Sequence, residues 1–532
     1  MLHLADVFEA FRNMSLDTYG LDAAYYVSSP QLSWDAMLKI TGVSIELISD
    51  PAMFRMIDSG IRGGVCMIST RFALANNEEI GDQYDRSKAK SWIKGLDANN
   101  LYGWAMSQPL PLCDFCWVPE EELKKIKWLE QTENQDFGYI VKVDLRYPPE
   151  LHEAQSDYPL APERISVKEE WLSDKQLNIK AQYNLPRSDY TSKLIPNLMD
   201  KKEYVVDYRN LKFYLKHGLQ LTKVHSAVKY FQSKWMAPYI AVNQAKRSAC
   251  KTDFEKEFFK LMNNSVFGKT CENQKKRTSI YLVNNKAKFN KLVFKPNFMD
   301  AHVYTDSFAS VEMQKTKVMI NKPFFAGFTI LDLAKLHMYR YVPILYYDSF
   351  SLKKIIDLSK QESIIIYYYN IQCEKNFLYR FHYDFFLRLF ANAGLIFTDT
   401  DSLYYYVEND NMERILYENR AQLDFSDYPE GHPYKNDANR MVLGKFKCET
   451  RGEPIVEIVC LKPKMYSYIF KQDKSTNQVK EKIKIKGVSR AAAKVLRHGM
   501  YLEQLNDPHE NYLTNRRIGN KLNNLYSIEV FK

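Results

Sequence analysis

No uninterrupted apolar run in this chain reaches the length that a bilayer crossing requires. The segment Met1-Leu-His-Leu-Ala-Asp6 has no basic stretch followed by an apolar one, so no secretory signal is expected. Cysteine is sparse, with eight thiols scattered through 532 residues, and only Cys113 and Cys116 lie close together. A single C-x-x-C without a second ligand pair at zinc-ribbon spacing is a poor zinc site. The others read as reduced thiols of a reducing compartment. No internal repeat of solenoid period is found. These absences leave a soluble, intracellular protein with no membrane partner as the expectation. No targeting segment separates nucleus, cytoplasm and mitochondrion.

What is there is a large globular chain. Hydrophobic residues make up 45 %, which excludes a disordered tail, and 532 residues suffice for several subdomains. The formal net charge of +10 suits a polyanionic partner, although many proteins without one carry as much. Residues 1–60 read as mainly helical, with Leu4, Val7, Phe8 and Phe11 at helical spacing, and Ile61-Arg62-Gly63-Gly64 interrupts them as a loop. A strand enters at Ile93 and ends at Asp97; Pro109 and Pro111 forbid a long helix beyond it. Tyr139 to Leu145 alternates as a strand, and 146–200 looks irregular. Val224 to Gly268 reads as two helices broken near 248–253, the second starting at Thr252 or Asp253 as N-cap. Leu395–Phe397 and Leu403–Val407 flank a short acidic turn and predict a β-hairpin. Val442–Phe446 and Ile455–Tyr468 predict further strands, and Lys484–Tyr501 begins basic and becomes helical.

Three places carry candidate chemistry. In the hairpin, alternation puts Asp399 and Asp401 on one face with Thr400 opposite. Two adjacent carboxylates repel unless a cation lies between them, and Mg²⁺ takes oxygen ligands while keeping positions for phosphate and water. A lone Asp-x-Asp is otherwise a solvated turn, and Leu403 and Tyr404 spoil a calcium loop. Asp97, at its strand end, opens Asp97-Ala-Asn-Asn-Leu-Tyr102; alone it reads as a surface or capping residue, and Tyr102 as core. On a helix Lys260, Asn264 and Phe267 share one face, offering a cation, an amide and a ring that suit a triphosphate, a sugar or base edge and a stacking surface. A solvated helix face is the plain alternative.

Together and in this order, these elements resemble the motifs of family B DNA polymerases. Asp97 to Tyr102 is similar to the first palm motif, Lys260 to Gly268 to the fingers motif, and Thr398-Asp-Thr-Asp-Ser402 to the palm hairpin. Lys464-Met-Tyr466 is similar to the Lys-x-Tyr motif, and Arg62-Gly63-Gly64 to most of the Tyr-x-Gly-Gly motif. The stretch between Asp97 and Lys260 resembles the insertion of the protein-primed branch, whose members serve mobile elements, viruses and linear plasmids. The resemblance spans roughly residues 1–500.

The resemblance implies an α+β fold shaped as a right hand. It divides the chain into an exonuclease remnant and linker (1–60), palm (61–111), priming-type insertion (112–205), fingers (206–275), a second insertion and palm (276–338), an intrusion (339–378), palm again (379–470) and a thumb (471–532). It implies a DNA-directed DNA polymerase working with two Mg²⁺ ions, Mn²⁺ being a substitute. Asp97 and Asp401 would bind metal, with Asp399 in support. Lys260 would hold the triphosphate, helped by Lys256 or Arg247, with Asn264 and Phe267 lining the nucleotide pocket. Tyr102 would exclude the ribose 2′-hydroxyl. Lys464 and Tyr466 would meet the primer terminus, Arg62, Gly63 and Gly64 the template, and Lys482, Lys484 and Lys486 the phosphate backbone. The implied partners are template-primer DNA, deoxynucleoside triphosphates and a terminal priming protein.

The chain departs from the family pattern at four points. Phe267 and Ile61 each stand where the family has Tyr. Leu4-Ala-Asp-Val-Phe-Glu9 is similar to the segment just after the last exonuclease motif, so no 3′–5′ exonuclease is expected of this chain. The stretch from about Arg340 to Leu378, flanked by Tyr-Arg at both edges, reads as an intrusion or retained intron. A reverse transcriptase would carry Tyr-x-Asp-Asp, which is absent. The remaining rival is an inactive, DNA-binding relic of a mobile-element polymerase.

Overall fold

Proline starts two of the first three helices. The computed structural model describes residues 2–182, 192–272, 278–317, 321–339, 381–471, 479–488, 493–507, 514–521 and 524–531. It opens with α1 (Leu2–Tyr19), α2 (Ser29–Thr41) and α3 (Pro51–Ser59). Pro30 and Pro51 occupy first-turn positions, where the missing N–H has no helical partner to lose. Asp50 then caps α3, accepting from the Ala52 N–H at 2.7 Å.

The chain next lays down β1 (Cys66–Ile68), β2 (Phe72–Leu74), β3 (Ser91–Ala98), α4 (Leu101–Met106), β4 (Leu110–Trp117), α5 (Glu120–Leu123) and β5 (Phe137–Arg146). There follow β6 (Glu163–Ser166), α6 (Asp174–Gln182), β7 (Ser192–Ile195), β8 (Lys201–Asp207), α7 (Tyr208–Lys216) and β9 (Gln220–Ser233). The helical pair α8 (Ala237–Ala249) and α9 (Asp253–Thr270) precedes a small module of β10 (Thr278–Val283), α10 (Lys286–Val293), β11 (Phe298–Thr305) and β12 (Phe308–Gln314). Then come α11 (Phe324–Tyr339), β13 (Gly394–Asp399), β14 (Ser402–Glu408), α12 (Met412–Glu418), β15 (Leu423–Asp424), β16 (Phe446–Cys448), β17 (Ile455–Lys462), β18 (Met465–Lys471), β19 (Val479–Ile485), α13 (His498–Asn506), β20 (Thr514–Lys521) and β21 (Asn524–Phe531).

The architecture is mixed helix and strand around one ten-stranded sheet, whose main path runs β1-β13-β14-β3-β17-β18-β19. Alternation along the strands feeds two cores. Leu403, Tyr405 and Val407 of β14 enter the large core with Trp92 and Leu96, while Tyr404 enters a second with Phe397, Ile93 and Tyr468. A four-stranded sheet, β4-β9-β5-β8, stands beside it, and all 16 residues of α11 are buried. No helix among the described residues is long and apolar enough to cross a membrane.

Two expectations fail. Residues 220–233 form a strand rather than the start of a helix, because Val224, Val228, Tyr230 and Phe231 suit a pleated surface and β4 and β5 pair with both edges. Residues 442–445 form turns, and the predicted strand there is only Phe446–Cys448. The suspected intrusion at 339–378 lies, beyond Tyr339, outside the described residues. Its flanks return to one place in the core: Tyr339 is fully buried, and its ring centroid lies 6.5 Å from that of Tyr383.

Candidate active site

Register builds the centre of the site. β14 pairs antiparallel with β3 so that Ser402 stands opposite Asp97, and the Ala98 N–H donates to the Asp401 carbonyl at 2.8 Å. Asp97 on β3 and Asp401, in the turn that leads into β14, are thereby neighbours and line the same cavity of about 470 Å³.

The hairpin tip is tighter than simple alternation predicts. The Asp401 N–H donates to the Asp399 carbonyl at 2.9 Å across Thr400, whose φ is +70°. This is a three-residue turn, and a threonine at positive φ is strained. The Thr400 N–H is held by the Val65 carbonyl at 2.9 Å. The turn also separates the two carboxylates. Asp401 lines the cavity, whereas Asp399 accepts from Lys464 Nζ and, at 3.1 Å, from the thiol of Cys66, its partner across the sheet.

Gly64 is required here. A Cβ on it would lie 2.4 Å from Thr400 Cγ2, so only glycine lets the loop close over the tip. Gly63 meets no such neighbour.

Tyr102 is presented by α4. Asn100, at φ +43°, accepts from the Gly103 N–H at 3.0 Å. A Cβ on Gly103 would lie 2.4 Å from Asn100 Nδ2, so this turn also depends on glycine. From the other side α9 presents Phe267, and the Tyr102 and Phe267 rings stack at 4.5 Å between centroids with 8° between planes.

The start of α9 is fixed by a capping box. Thr252 Oγ1 accepts from the Glu255 N–H at 3.3 Å, and Glu255 Oε2 accepts from the Thr252 N–H at 3.0 Å. Asn243 Nδ2 donates to Asn263 Oδ1 at 2.8 Å and so ties α8 to α9. Lys260, Asn264 and Phe267 all line the cavity. Lys260 is half-exposed and sits 3.1 Å from Glu257, a surface pair worth less than about 1 kcal/mol and easily exchanged for a better anion.

Electrostatics set Asp97 and Asp401 apart. Burial, then the neighbouring Asp401 and Glu449, push the Asp97 carboxyl up to about 8, with Lys447 and Lys482 opposing. Burial also raises Asp401, with Asp399 and Glu449 adding to it against Lys464. Burial pulls the Lys464 ammonium down, but its bond to Asp399 more than offsets this, so it stays charged. Burial lifts the Tyr102 phenol to about 12.

Two buried carboxylates in one cavity, each pushed up first by burial and Asp97 further by Asp401, form a site that favours a divalent cation. No group of three or more His, Cys, Asp and Glu side chains that could hold a metal is found among the described residues. A carboxylate pair still fits Mg²⁺, which commonly takes one or two carboxylates and fills its shell with phosphate and water oxygens.

The structure thus brings Asp97, Asp401, Tyr102, Lys260, Asn264 and Phe267 into one cavity. It places other candidates elsewhere. The Arg62 guanidinium is buried, donating to the Gly60 and Val205 carbonyls and lying 3.9 Å over the Tyr204 ring. Tyr466 is also buried, its ring 4.3 Å from that of Phe397. Neither is presented at the surface. Lys482 is bonded to Glu449 at 2.8 Å. Lys486 is exposed, and its backbone N–H holds the Lys464 carbonyl at 3.1 Å.

Sequence reasoning missed Gln244, Met441 and Lys447 in the cavity wall and Glu449 beside it. Lys447 stands opposite Asp97 in the β16–β3 register, with Nζ 3.8 Å from Asp97 Oδ2. Alternation on β16 was the one signal in the sequence that could have flagged it.

No known family model matches the chain, and no curated protein does. Solved structures do. Phi29 DNA polymerase complexed with primer-template DNA superimposes with a TM-score of 0.52 at 11 % identity, covering 98 % of this chain and 69 % of that one. Its ternary complex with primer-template DNA and incoming nucleotide gives a TM-score of 0.49 at 11 % identity, covering 95 % and 67 %. At this identity the first match establishes a shared architecture: the chain has a DNA polymerase fold.

Proposed function

We propose that this protein is a DNA-directed DNA polymerase, a nucleotidyltransferase that adds deoxynucleotides to a primer 3′-hydroxyl. The observation that carries the reading is the single cavity in which Asp97 and Asp401 meet Tyr102, Lys260, Asn264 and Phe267, although these six come from three separate parts of the chain. A solvated acidic turn and an unrelated helix face would have no reason to converge.

Asp97 and Asp401 are the residues that would hold the divalent ions. When bound, two Mg²⁺ ions, or Mn²⁺ in their place, lower the pKa of the attacking hydroxyl and stabilise the leaving pyrophosphate. The rest of the work is positioning and charge neutralisation by the chain itself. Lys260 exchanges its weak partner Glu257 for the triphosphate. Arg247 also lines the cavity, and its buried Nε has no acceptor among the described residues, a gap that a phosphate oxygen would fill. The stacked Tyr102 and Phe267 rings close the sugar side of the pocket and leave no room for a 2′-hydroxyl. Asp399 keeps Lys464 at the hairpin tip, where its ammonium meets the primer strand. In this reading the central sheet is the palm, α8 and α9 are the fingers, and the segment after Lys471 is the thumb. The protein-primed branch, with a terminal protein hydroxyl as the first acceptor, is the finer form of the proposal. Its support is the four-stranded sheet whose strands lie in sequence between Asp97 and Lys260.

The test is primer extension on a short template with Mg²⁺ and deoxynucleotides. The chain should extend the primer, and Asp401→Ala should abolish extension while remaining folded by circular dichroism. Equal extension by both proteins would remove the metal-site assignment. No extension by a folded, unaltered chain would favour the inactive DNA-binding relic.

A further inference from the structure

Asp424 is a buried carboxylate just behind the cavity wall, 4 % exposed, with no cationic partner among the described residues. Its bonds all come from neutral N–H groups. Oδ2 accepts from Asn99 Nδ2 at 2.7 Å and from the Met441 N–H at 2.9 Å, and Oδ1 accepts from the Ser426 N–H at 2.9 Å. Bonds to a charged acceptor are the stronger kind, and burial keeps water from competing for them.

Both partners on Oδ2 lead onward to the site. Asn99 stands between Asp97 and Asn100, the residue whose turn presents Tyr102. Its backbone is clamped as well, the Asn99 N–H donating to the Lys445 carbonyl and the Gly444 N–H to the Asn99 carbonyl, each at 2.8 Å. Met441, at φ +57°, offers its carbonyl to Gln244 Nε2 on α8 at 2.6 Å. That carbonyl fixes the orientation of the Gln244 amide, since a carbonyl accepts only from the nitrogen end. Gln244 Oε1 is then left buried without a donor among the described residues. The contact between α8 and Met441 thus rests on the nitrogen end of the Gln244 amide.

We propose that Asp424 is a positioning residue that couples α8 to the Asp97–Tyr102 segment through Gln244, Met441 and Asn99. Placement of α8 against the nucleotide then sets the position of the gate ring and of the first carboxylate together. The proposal rests on the polymerase reading and goes beyond it, because Asp424 touches neither the cavity nor any group assigned to substrate.

The experiment compares Asp424→Ala, Asp424→Asn, Gln244→Ala and the Asp424→Ala/Gln244→Ala pair with the unaltered chain. It measures kcat and KM for a deoxynucleotide and for the matching ribonucleotide, with thermal unfolding alongside. Asp424→Ala should cut the preference for deoxynucleotide at least about tenfold and lower kcat more than it raises KM. Asp424→Asn should recover most of the preference, because one amide oxygen can accept from both Asn99 and Met441. Gln244→Ala should shift the preference the same way, and the pair should lose no more than the worse single variant. Lower melting temperatures with unchanged preference would reduce Asp424 to a structural residue and overturn the proposal. Losses that multiply in the pair would overturn the coupling. If Asp424→Ala does not fold, Gln244→Ala decides alone, and an unchanged preference there counts against it. Failure of the unaltered chain to extend any primer overturns the polymerase reading and this proposal with it. Extension with unchanged variants overturns this proposal only.

Discussion

Asp97→Asn should make the metal-free protein more stable at alkaline pH and progressively less so toward acid. Burial, with Asp401 and Glu449 beside it, pushes the Asp97 carboxyl up to about 8 in the folded chain, against an ordinary value of 3.8. Between those values the unfolded chain has lost a proton that the folded chain keeps, so metal-free stability falls as pH rises through this window. At 1.36 kcal/mol per pH unit the full gap would be about 6 kcal/mol; water in the cavity screens it, and about 2–3 kcal/mol is the expected cost at pH 8. The neutral amide of Asn never pays that cost. The assay is thermal unfolding in chelator at pH 5, 6.5 and 8, read as the difference between variant and parent so that other titrating groups cancel. The variant should gain a few degrees at pH 8 and progressively less at pH 6.5 and pH 5, because the window opens just above the ordinary carboxylate value of 3.8. Adding Mg²⁺ at pH 8 should stabilise the parent by mass action and not the variant. Parallel pH curves for the two proteins in chelator would refute the argument that burial, with Asp401 and Glu449 beside it, keeps the Asp97 carboxyl protonated.

Tyr102→Val should raise ribonucleotide incorporation relative to deoxynucleotide by roughly 10–200-fold, the range that one change of side-chain size in a pocket commands, measured as a ratio of kcat/KM values. Gly64→Ala should impair extension by driving a methyl into Thr400 Cγ2, and Thr400→Gly in the same chain, which removes that methyl and suits φ +70°, should restore it. Replacing 340–378 with a short linker should leave folding and extension intact, because Tyr339 and Tyr383 already meet in the core; loss of soluble protein would show that the segment is needed.

Much of the site was legible because its residues sit at fixed spacing on single elements. Lys260, Asn264 and Phe267 needed only the helical repeat, and the break near 250 and the Thr252 cap were visible as local chemistry. The hairpin was legible for the same reason, though not its tip. Period-two alternation put both aspartates on one face, whereas the structure separates them with a positive-φ residue whose conformation depends on Val65 and Gly64, more than 300 residues earlier. Local pattern cannot report a backbone angle imposed from that distance. The strand at 220–233 was missed for a related reason. Its basic and polar residues mimic a helix face, and only pairing with β4 and β5 decides the matter.

The residues that escaped, Gln244, Met441, Lys447 and Asp424, have one property in common: each is joined to the site by contacts across the fold, Gln244 to Met441, Lys447 to Asp97, and Asp424 to both Asn99 and Met441. A carboxylate such as Asp424 in Leu-Asp-Phe-Ser reads as an ordinary turn residue until burial removes its water. Once buried, it must find donors, and the two on its Oδ2 come from Asn99, beside Asp97, and from Met441, which holds α8. The cost of leaving any one of them unsatisfied, about 1–3 kcal/mol, is what lets so small a set of bonds hold two separate walls of the cavity in fixed relation.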